Sequence, residues 1–438
     1  MRPYLNKVHE ANQTGACSAE FLVFPSNPYL NSSFLRFLLH NRAFVRFAAH
    51  PDKMTGDRPR IDFDDIKGYQ FLLPPLDEQA RIVERIEQLF QQVEEGEKAL
   101  KAAQKLVEKY RISLLKAAVT GELTKEWREK NPPKETGADL LKRILKARRE
   151  AWEAAELEKF KAKGQPPKDD AWKKKYQEPA LPSPEAIADL PELPEGWVWA
   201  SLDQLAWASS YGTSVKCSYD SKGIKVLRVP NIRPGRFDVT DIKLASIDLE
   251  ISAAERVQQG DLLFVRTNGS KAIIGAGVVA CKDLDDEFYY ASYLIRFRLV
   301  ASALPFEWVN LVWQSPVVRG FIHQNAATSA GQYNISQSKV QELPIPLPPS
   351  EEAVEISSLA KAKLDLFGIQ KELAREQAGV LALRQSILKD AFSGKLVPQD
   401  PEDEPASVLL ERIQAERAAR EAEAKPKKPR GRKKKGTA

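Results

Sequence analysis

The sequence predicts an α+β protein with two α+β domains, the first one partial, separated by two long helices that pair as an antiparallel coiled coil. Three observations carry this. The first is an internal repeat: Leu73-Pro74-Pro75-Leu76-Asp77-Glu78-Gln79 and the helix after it recur as Leu347-Pro348-Pro349-Ser350-Glu351-Glu352-Ala353 and a second helix. The offset is 274 from Ile61 and Ile335 through the prolines. It is 273 downstream, where Arg111-Ile112-Ser113-Leu114-Leu115-Lys116 aligns with Arg384-Gln385-Ser386-Ile387-Leu388-Lys389, and Thr120-Gly121-Glu122-Leu123 with Ser393-Gly394-Lys395-Leu396. Leu140-Leu141-Lys142-Arg143-Ile144 echoes Leu409-Leu410-Glu411-Arg412-Ile413. Self-similarity of this kind marks a duplicated unit.

The second observation is the period of the helices. Ile82, Ile86, Leu89, Val93, Gly96, Leu100, Ala103, Val107, Tyr110 and Leu114 alternate by four and three, a heptad seam that requires a partner along its length. A rise of about 1.5 Å per residue makes the segment Asp77 to Ala118 a rod of roughly 60 Å. The second helix shows Ile356, Ala360 and Phe367, then Leu373, Glu376, Val380, Leu383 and Ile387, with one residue lost in a register slip. Pairing of the two repeats is the simplest solution. Two separate helices, each packed on its own domain, is the alternative. The third observation is a set of strand-like runs between the repeats.

In chain order, residues 1–73 read as a partial domain, with Phe21-Leu22-Val23-Phe24 as a short buried strand and Ser33 to Ala49 as an amphipathic helix. Arg58-Pro59-Arg60-Ile61 leads into the repeat. Residues 74–120 are the first long helix, and 121–192 a charged linker with one helix from about Ala138 to Lys163. Leu193-Pro194-Glu195-Gly196-Trp197 opens a second domain, 193–347. Its strands are expected at Gly223–Val229, Gly260–Arg266, Ile273–Ala280 and Tyr293–Leu299, rich in β-branched residues. Pro305 to Ile322 reads as a helix interrupted at Pro316. Residues 348–398 are the second long helix and 399–438 a tail, basic and disordered at its end.

Composition narrows the function classes. No apolar run approaches the roughly 20 residues of a membrane span, so no membrane partner is expected. Cys17, Cys217 and Cys281 are too few and too scattered for a disulfide framework or a zinc site, which points to the cytoplasm. The net charge of +6 is uneven: residues 125–175 and 425–438 carry the excess, whereas 193–343 has 15 bases and 15 acids. Charge alone therefore assigns no nucleic-acid surface to the second domain.

No catalytic or metal constellation stands out. The four histidines, His9, His40, His50 and His323, lack ligand spacing. Gly275-Ala276-Gly277 has no third glycine opening a helix, so it is not a dinucleotide fingerprint. Asn131-Pro132-Pro133-Lys134 resembles the Asn-Pro-Pro-aromatic motif of amino-methyltransferases, but Lys134 stands where the stacking aromatic belongs. What remains is a set of polar loops. Tyr211, Thr213, Ser214 and Lys216 lie in the first, with Arg228 after the next strand. Arg266, Thr267, Asn268 and Ser270 lie in another, and Gln332, Tyr333 and Asn334 in a third. These residue types pair with base edges and phosphates, although turn chemistry alone would also explain them.

Tyr211-Gly212-Thr213-Ser214, Val265-Arg266-Thr267-Asn268-Gly269-Ser270, Gly331-Gln332-Tyr333-Asn334-Ile335-Ser336 and Pro344-Ile345-Pro346-Leu347-Pro348-Pro349 resemble the specificity subunits of type I restriction–modification enzymes. The twofold repeat and Leu193-Pro194-Glu195-Gly196-Trp197 do so too, over Met1 to about Arg420. The resemblance implies two target-recognition domains that read the halves of a bipartite double-stranded DNA site. It implies docking of two methyltransferase subunits and of endonuclease/translocase subunits. No cofactor is implied in this chain, with S-adenosylmethionine, ATP and Mg2+ on the partners, and the chain itself is non-catalytic. A stand-alone coiled-coil DNA-binding protein without methyltransferase partners is the alternative; a self-sufficient methyltransferase is a third. One departure is large: 152 residues separate Trp197 from Pro349 but 74 precede Pro75. The first recognition domain is accordingly expected to lack its N-terminal half, some 78 residues.

Overall fold

The structure, a computed structural model, describes residues 6–50, 61–164, 167–246, 251, 255–284, 287–300, 305–329, 331–364 and 367–424. Arg58-Pro59-Arg60 and the basic end of the tail lie outside them. Helices α1 (Ser32–His40), α2 (Arg42–Ala48) and α3 (Phe63–Ile66) precede the 44-residue α4 (Leu76–Val119). Then come α5 (Lys125–Lys130), α6 (Gly137–Ala162) and α7 (Pro184–Ala188). β1 (Val198–Ser201), α8 (Leu202–Leu205), β2 (Ala206–Tyr211) and β3 (Lys225–Leu227) follow. Next are β4 (Ile232–Arg233), β5 (Arg236–Phe237), β6 (Lys243–Leu244), β7 (Asp261–Val265) and β8 (Thr267–Asn268). β9 (Gly277–Val279), β10 (Phe288–Tyr290) and β11 (Leu294–Leu299) complete the strand-rich region. α9 (Phe306–Trp313), α10 (Pro316–Asn325), β12 (Ala327–Ser329), β13 (Gln332–Asn334), α11 (Gln337–Gln341) and β14 (Pro344–Leu347) come next. The chain closes with α12 (Ser350–Leu364), α13 (Phe367–Ala391) and α14 (Ala406–Ala424). The class is α+β. Two compact units result, Met1–Lys105 with Ile369–Ala438, and Leu106–Gly368.

The larger unit is organised by an antiparallel sheet in the order β2-β11-β7-β9. All five residues of β7 are buried because both faces of the sheet are covered. Successive side chains of a strand point to opposite faces. Leu262 and Phe264 accordingly join the core with Trp308, Val309 and Trp313 of α9, whereas Leu263 and Val265 join a second core with Leu227 and Tyr290. β9 is shorter than the Ile273–Ala280 strand expected. Gly275, at φ +72°, turns the chain first, and a Cβ there would meet Ile322 at 2.4 Å.

β14 pairs with β1, Ser201 opposite Pro344 and Val198 opposite Leu347. Two prolines fit because β14 has a single strand neighbour, so an N–H facing away is not missed. Trp197, just before β1, donates its indole N–H to Glu352 Oε2 at 2.8 Å. Glu352 also accepts from Thr124 Oγ1 at 2.7 Å and Arg128 Nε at 2.9 Å. The segment expected as a linker is packed: Leu140 and Ile144 of α6 are in the core, and Gly137 approaches Leu347 so closely that a Cβ would lie 2.2 Å from its carbonyl oxygen. Buried Arg148 donates to the carbonyls of Asp203, Ala206 and Gln177.

In the smaller unit, α4 and α13 pair antiparallel. Glu97 meets Arg384 at 3.4 Å, and Gln104 meets Gln377 at 3.1 Å, seven residues further along α4 and seven back along α13. Ile82, Ile86 and Val93 pack with Ile387, Leu388 and Ala391. The seam of α13 differs from the expected one. Leu383 is 50% exposed, and Arg384 takes the inner position with its guanidinium 5.4 Å from the ring centre of Phe90. Arginine stems cover apolar surface while the head finds charge or a ring, which apolar periodicity cannot register. Arg81 of α4 holds Asp403 through both oxygens, at 3.1 and 2.5 Å.

The repeat is structural well beyond the proline motif. At the offset of 274, α1, α2 and α3 match α9, α10 and α11, and Phe34, Leu38, Phe44, Ala48, Ile61 and Ile66 match Trp308, Val312, Val318, Ile322, Ile335 and Val340. All twelve are buried. Two local expectations fail. Ser33 to Ala49 is two helices, because Asn41 adopts an extended backbone and its side chain caps α2 by accepting from Ala43 N at 2.8 Å. Phe21–Phe24 is neither strand nor buried, and Phe21 is 53% exposed. Its repeat partners lie in β11, whose burial comes from β2 and β7 on either side; no strand flanks 21–24 among the described residues.

Candidate nucleic-acid interface

β7 ends at Val265 and the next residues turn out of the sheet into β8, which joins β13 and β12 in a small antiparallel sheet. This brings two of the polar loops together: Tyr333 lies opposite Asn268, and Asn334 opposite Thr267. Thr267 Oγ1 donates to Asn334 Oδ1 at 2.6 Å. Asn268 Oδ1 accepts from Ser270 N at 2.9 Å, a side-chain turn that fixes the loop tip. Its amide NH2 finds no acceptor among the described residues, and Gln332 is exposed.

Arg266 connects these loops to the third. Its guanidinium carbon lies 4.7 Å from the ring centre of Tyr211, at the end of β2, and its backbone N–H donates to Tyr293 O at 2.9 Å. Arg266 Nε is buried with no acceptor among the described residues. Tyr211 and Tyr293 are exposed beside it. Thr213 is pinned through its backbone to Tyr290 and Ser292, which leaves Ser214 and Lys216 exposed on the loop beyond. An arginine stacked on a tyrosine, flanked by amides and hydroxyls, can offer donors to a base edge or phosphate while its rotamer is restrained by the ring.

Arg228 is placed differently from the others. Its guanidinium donates to Asp241 O at 3.0 Å and pairs with the Asp241 carboxylate at 3.2 Å. A hydrogen bond from Tyr219 and the charge of Arg228 hold that carboxyl below the usual range. Two residues that sequence reasoning passed over belong here. Tyr293 had a signal, an aromatic just ahead of a strand. Arg319 had none, being an arginine inside a helix. It donates to the carbonyls of Ile274 at 2.6 Å and Ala272 at 3.0 Å and so clamps the loop after Ser270. Burial and the Arg319 charge hold His323 below its ordinary pKa, and its Nε2 lies 3.1 Å from Lys271 O.

Gly277 and Trp313 explain the glycines rejected as a fingerprint: a Cβ on Gly277 would lie 2.1 Å from Trp313 Nε1, which donates to Gly275 O. Among the described residues there is no group of three His, Cys, Asp or Glu able to hold a metal ion. No helix among them is long and apolar enough to cross a membrane.

Residues 10–102 match the family described as "Type I restriction modification DNA specificity domain". The EcoKI specificity subunit of Escherichia coli K12 is 27% identical over 407 residues, covering 88% of this chain and 72% of that protein. The chain is similar to type I restriction enzyme specificity subunits. The EcoAI subunit of Escherichia coli is 28% identical over 374 residues, and the StySPI subunit of Salmonella potsdam 27% over 235. These alignments span 57% and 50% of those two relatives. A solved structure from work on assembly and conformational transition of a type I R-M system shares the fold. Its TM-score is 0.53 at 19% identity, over 84% of this chain and 72% of that one.

Proposed function

We propose that this chain is the DNA-specificity subunit of a type I restriction–modification complex, binding double-stranded DNA as one half of a bipartite target through residues 193–347. The observation that carries the reading is the cluster Arg266–Tyr211 with Asn268 and Gln332, in which three loops meet beside the small β12-β13-β8 sheet, in a chain similar to specificity subunits. The subunit itself catalyses nothing. Two methyltransferase subunits bring S-adenosylmethionine, and the endonuclease/translocase subunits bring ATP and Mg2+. The paired repeats are the docking frame, and the complex works in the cytoplasm.

Arg266 and Asn268 read bases in this scheme, Lys216 contacts phosphate, and Arg228 shapes the loop through Asp241. The test is DNA binding by the complex assembled with its methyltransferase subunits. Arg266→Ala and Asn268→Ala should each cost about 1–3 kcal/mol on the cognate site and leave non-specific binding in place. Lys216→Ala should weaken all sequences alike and flatten the salt dependence. Cognate affinity that survives all three substitutions overturns the assignment, and failure to co-purify with a methyltransferase subunit favours the stand-alone DNA-binding alternative.

A further inference from the structure

Arg266 differs from the arginines around it in what holds it. Arg296 and Arg298 are drawn to Asp261, Arg228 to Asp241, and Arg319 to backbone carbonyls. Arg266 is held by a ring, with its guanidinium carbon 4.7 Å from the centre of Tyr211. No oxygen receives its guanidinium protons among the described residues. Its Nε is sealed from solvent, so what it offers outward is the end of the fork, Nη1 and Nη2. Two parallel donors match the O6 and N7 acceptors of guanine in the major groove, and no other base presents two acceptors there.

The asparagines of the small sheet add donors and withhold acceptors. Asn268 Oδ1 is turned to Ser270 N, and Asn334 Oδ1 takes the Thr267 hydroxyl. The two-point contact by which asparagine reads adenine needs that oxygen beside the NH2, to accept from N6. With the oxygen turned inward, Asn268 meets a base with its NH2 alone. Nor does the surrounding chain supply a strong acceptor. Segments 204–219, 262–282 and 308–341, which carry the three loops, contain no aspartate or glutamate. Carboxylates are the side chains that accept from the cytosine amino group. Gln332 is exposed and keeps both ends of its amide, so it retains the adenine contact that Asn268 has given up.

We infer that the half-site read by residues 193–347 contains a G·C pair whose guanine is gripped by Arg266 through O6 and N7, with Asn268 donating to an acceptor on the adjoining pair. Tyr211 is a positioning residue: its ring holds the guanidinium before DNA arrives, so less side-chain freedom is lost on binding. The inference rests on the reading of these loops as a DNA surface and adds the identity of a base to it. A phosphate contact by Arg266 is the competing outcome, and it would leave no base preference behind.

The experiment selects duplexes from a randomised library with the complex containing the methyltransferase subunits, for the unaltered chain and its variants. Arg266→Ala should release one position that the unaltered chain holds as G·C. Every other preference should survive, which also shows that the variant complex is folded. In a duplex of the selected sequence, 7-deazaguanine at that position removes N7. It should weaken the unaltered complex by about tenfold and leave Arg266→Ala unaffected. Tyr211→Phe should keep the guanine preference and Tyr211→Ala should lose most of it. Asn268→Asp keeps the turn to Ser270 but exchanges donor for acceptor, so the adjoining pair should shift toward a base with an amino group, cytosine or adenine. Release of an A·T pair by Arg266→Ala, release of none, indifference to 7-deazaguanine, or an adjoining pair unmoved by Asn268→Asp would each overturn the inference and leave the DNA reading in place. An unaltered complex that selects no sequence would overturn the DNA reading itself, and the inference with it.

Discussion

Arg298 and Asp261 face each other across β11 and β7 and join in a two-pronged ion pair inside the sheet, Nε to Oδ1 at 2.7 Å and Nη2 to Oδ2 at 2.8 Å. Asp261 is fully buried, and Arg296 approaches the same carboxylate at 3.8 Å. Removing one partner of such a pair strands the others without water. Asp261→Asn should lower the unfolding free energy of the larger unit by about 3–5 kcal/mol in urea titrations. A loss below about 1 kcal/mol would mean that water enters the sheet beside β11.

Glu78 yields a prediction with a definite sign. Burial raises its pKa above the ordinary 4.5, with Asp403 adding to the shift and Arg81 opposing it. Ionisation is therefore harder in the folded chain, and stability falls as pH rises from about 4.5 through the folded value. Glu78→Gln should raise the melting temperature of the isolated chain at pH 7 and leave it unchanged near pH 4. An unchanged or lower melting temperature at pH 7 would show that the carboxylate is satisfied.

The thiols differ in a way that alkylation reads directly. Burial, with Glu307 nearby, pushes Cys281 up to about 12, whereas Cys17 is exposed. The thiolate is the reactive form. Iodoacetamide at pH 8 should modify Cys17 in the native chain and reach Cys281 only after unfolding, as judged by peptide mass analysis.

Much of the frame was legible in the sequence because period and repeat are local, one-dimensional signals. The long helix starting at Leu76, the strands around Leu263 and Phe297, and the break at Pro316 all follow from spacing and from proline. The misreadings share a cause. Phe21–Phe24 is apolar enough for a strand, yet a strand exists by its neighbours and not by its composition. Asn41 splits an apolar helix pattern with one capping oxygen, and Arg384 occupies a seam position that hydrophobicity assigns to Leu383. At the site, the loop residues could be named but not their grouping. Tyr211 and Arg266 are far apart in sequence and meet only through the β2-β11-β7 register, whereas Arg228, of the same residue type as Arg266, is drawn to Asp241.

The two repeats also carry ion pairs of opposite polarity at neighbouring positions: Glu352 corresponds to Glu78, three residues before Arg81, and Arg128 to Pro401, two residues before Asp403. In the first, the arginine sits on the long helix and the carboxylate on the segment that follows its partner, as Arg81 and Asp403. In the second, the carboxylate sits on the helix and the arginine on the following segment, as Glu352 and Arg128. A chain that folded with its tails exchanged would bring Arg128 within about a helical turn of Arg81, and Asp403 within about a turn of Glu352. Each such meeting of like charges near buried surface carries a penalty that the correct pairing avoids. Two near-copies of one sequence thereby sort themselves by polarity, so that during folding each tail finds its own helix.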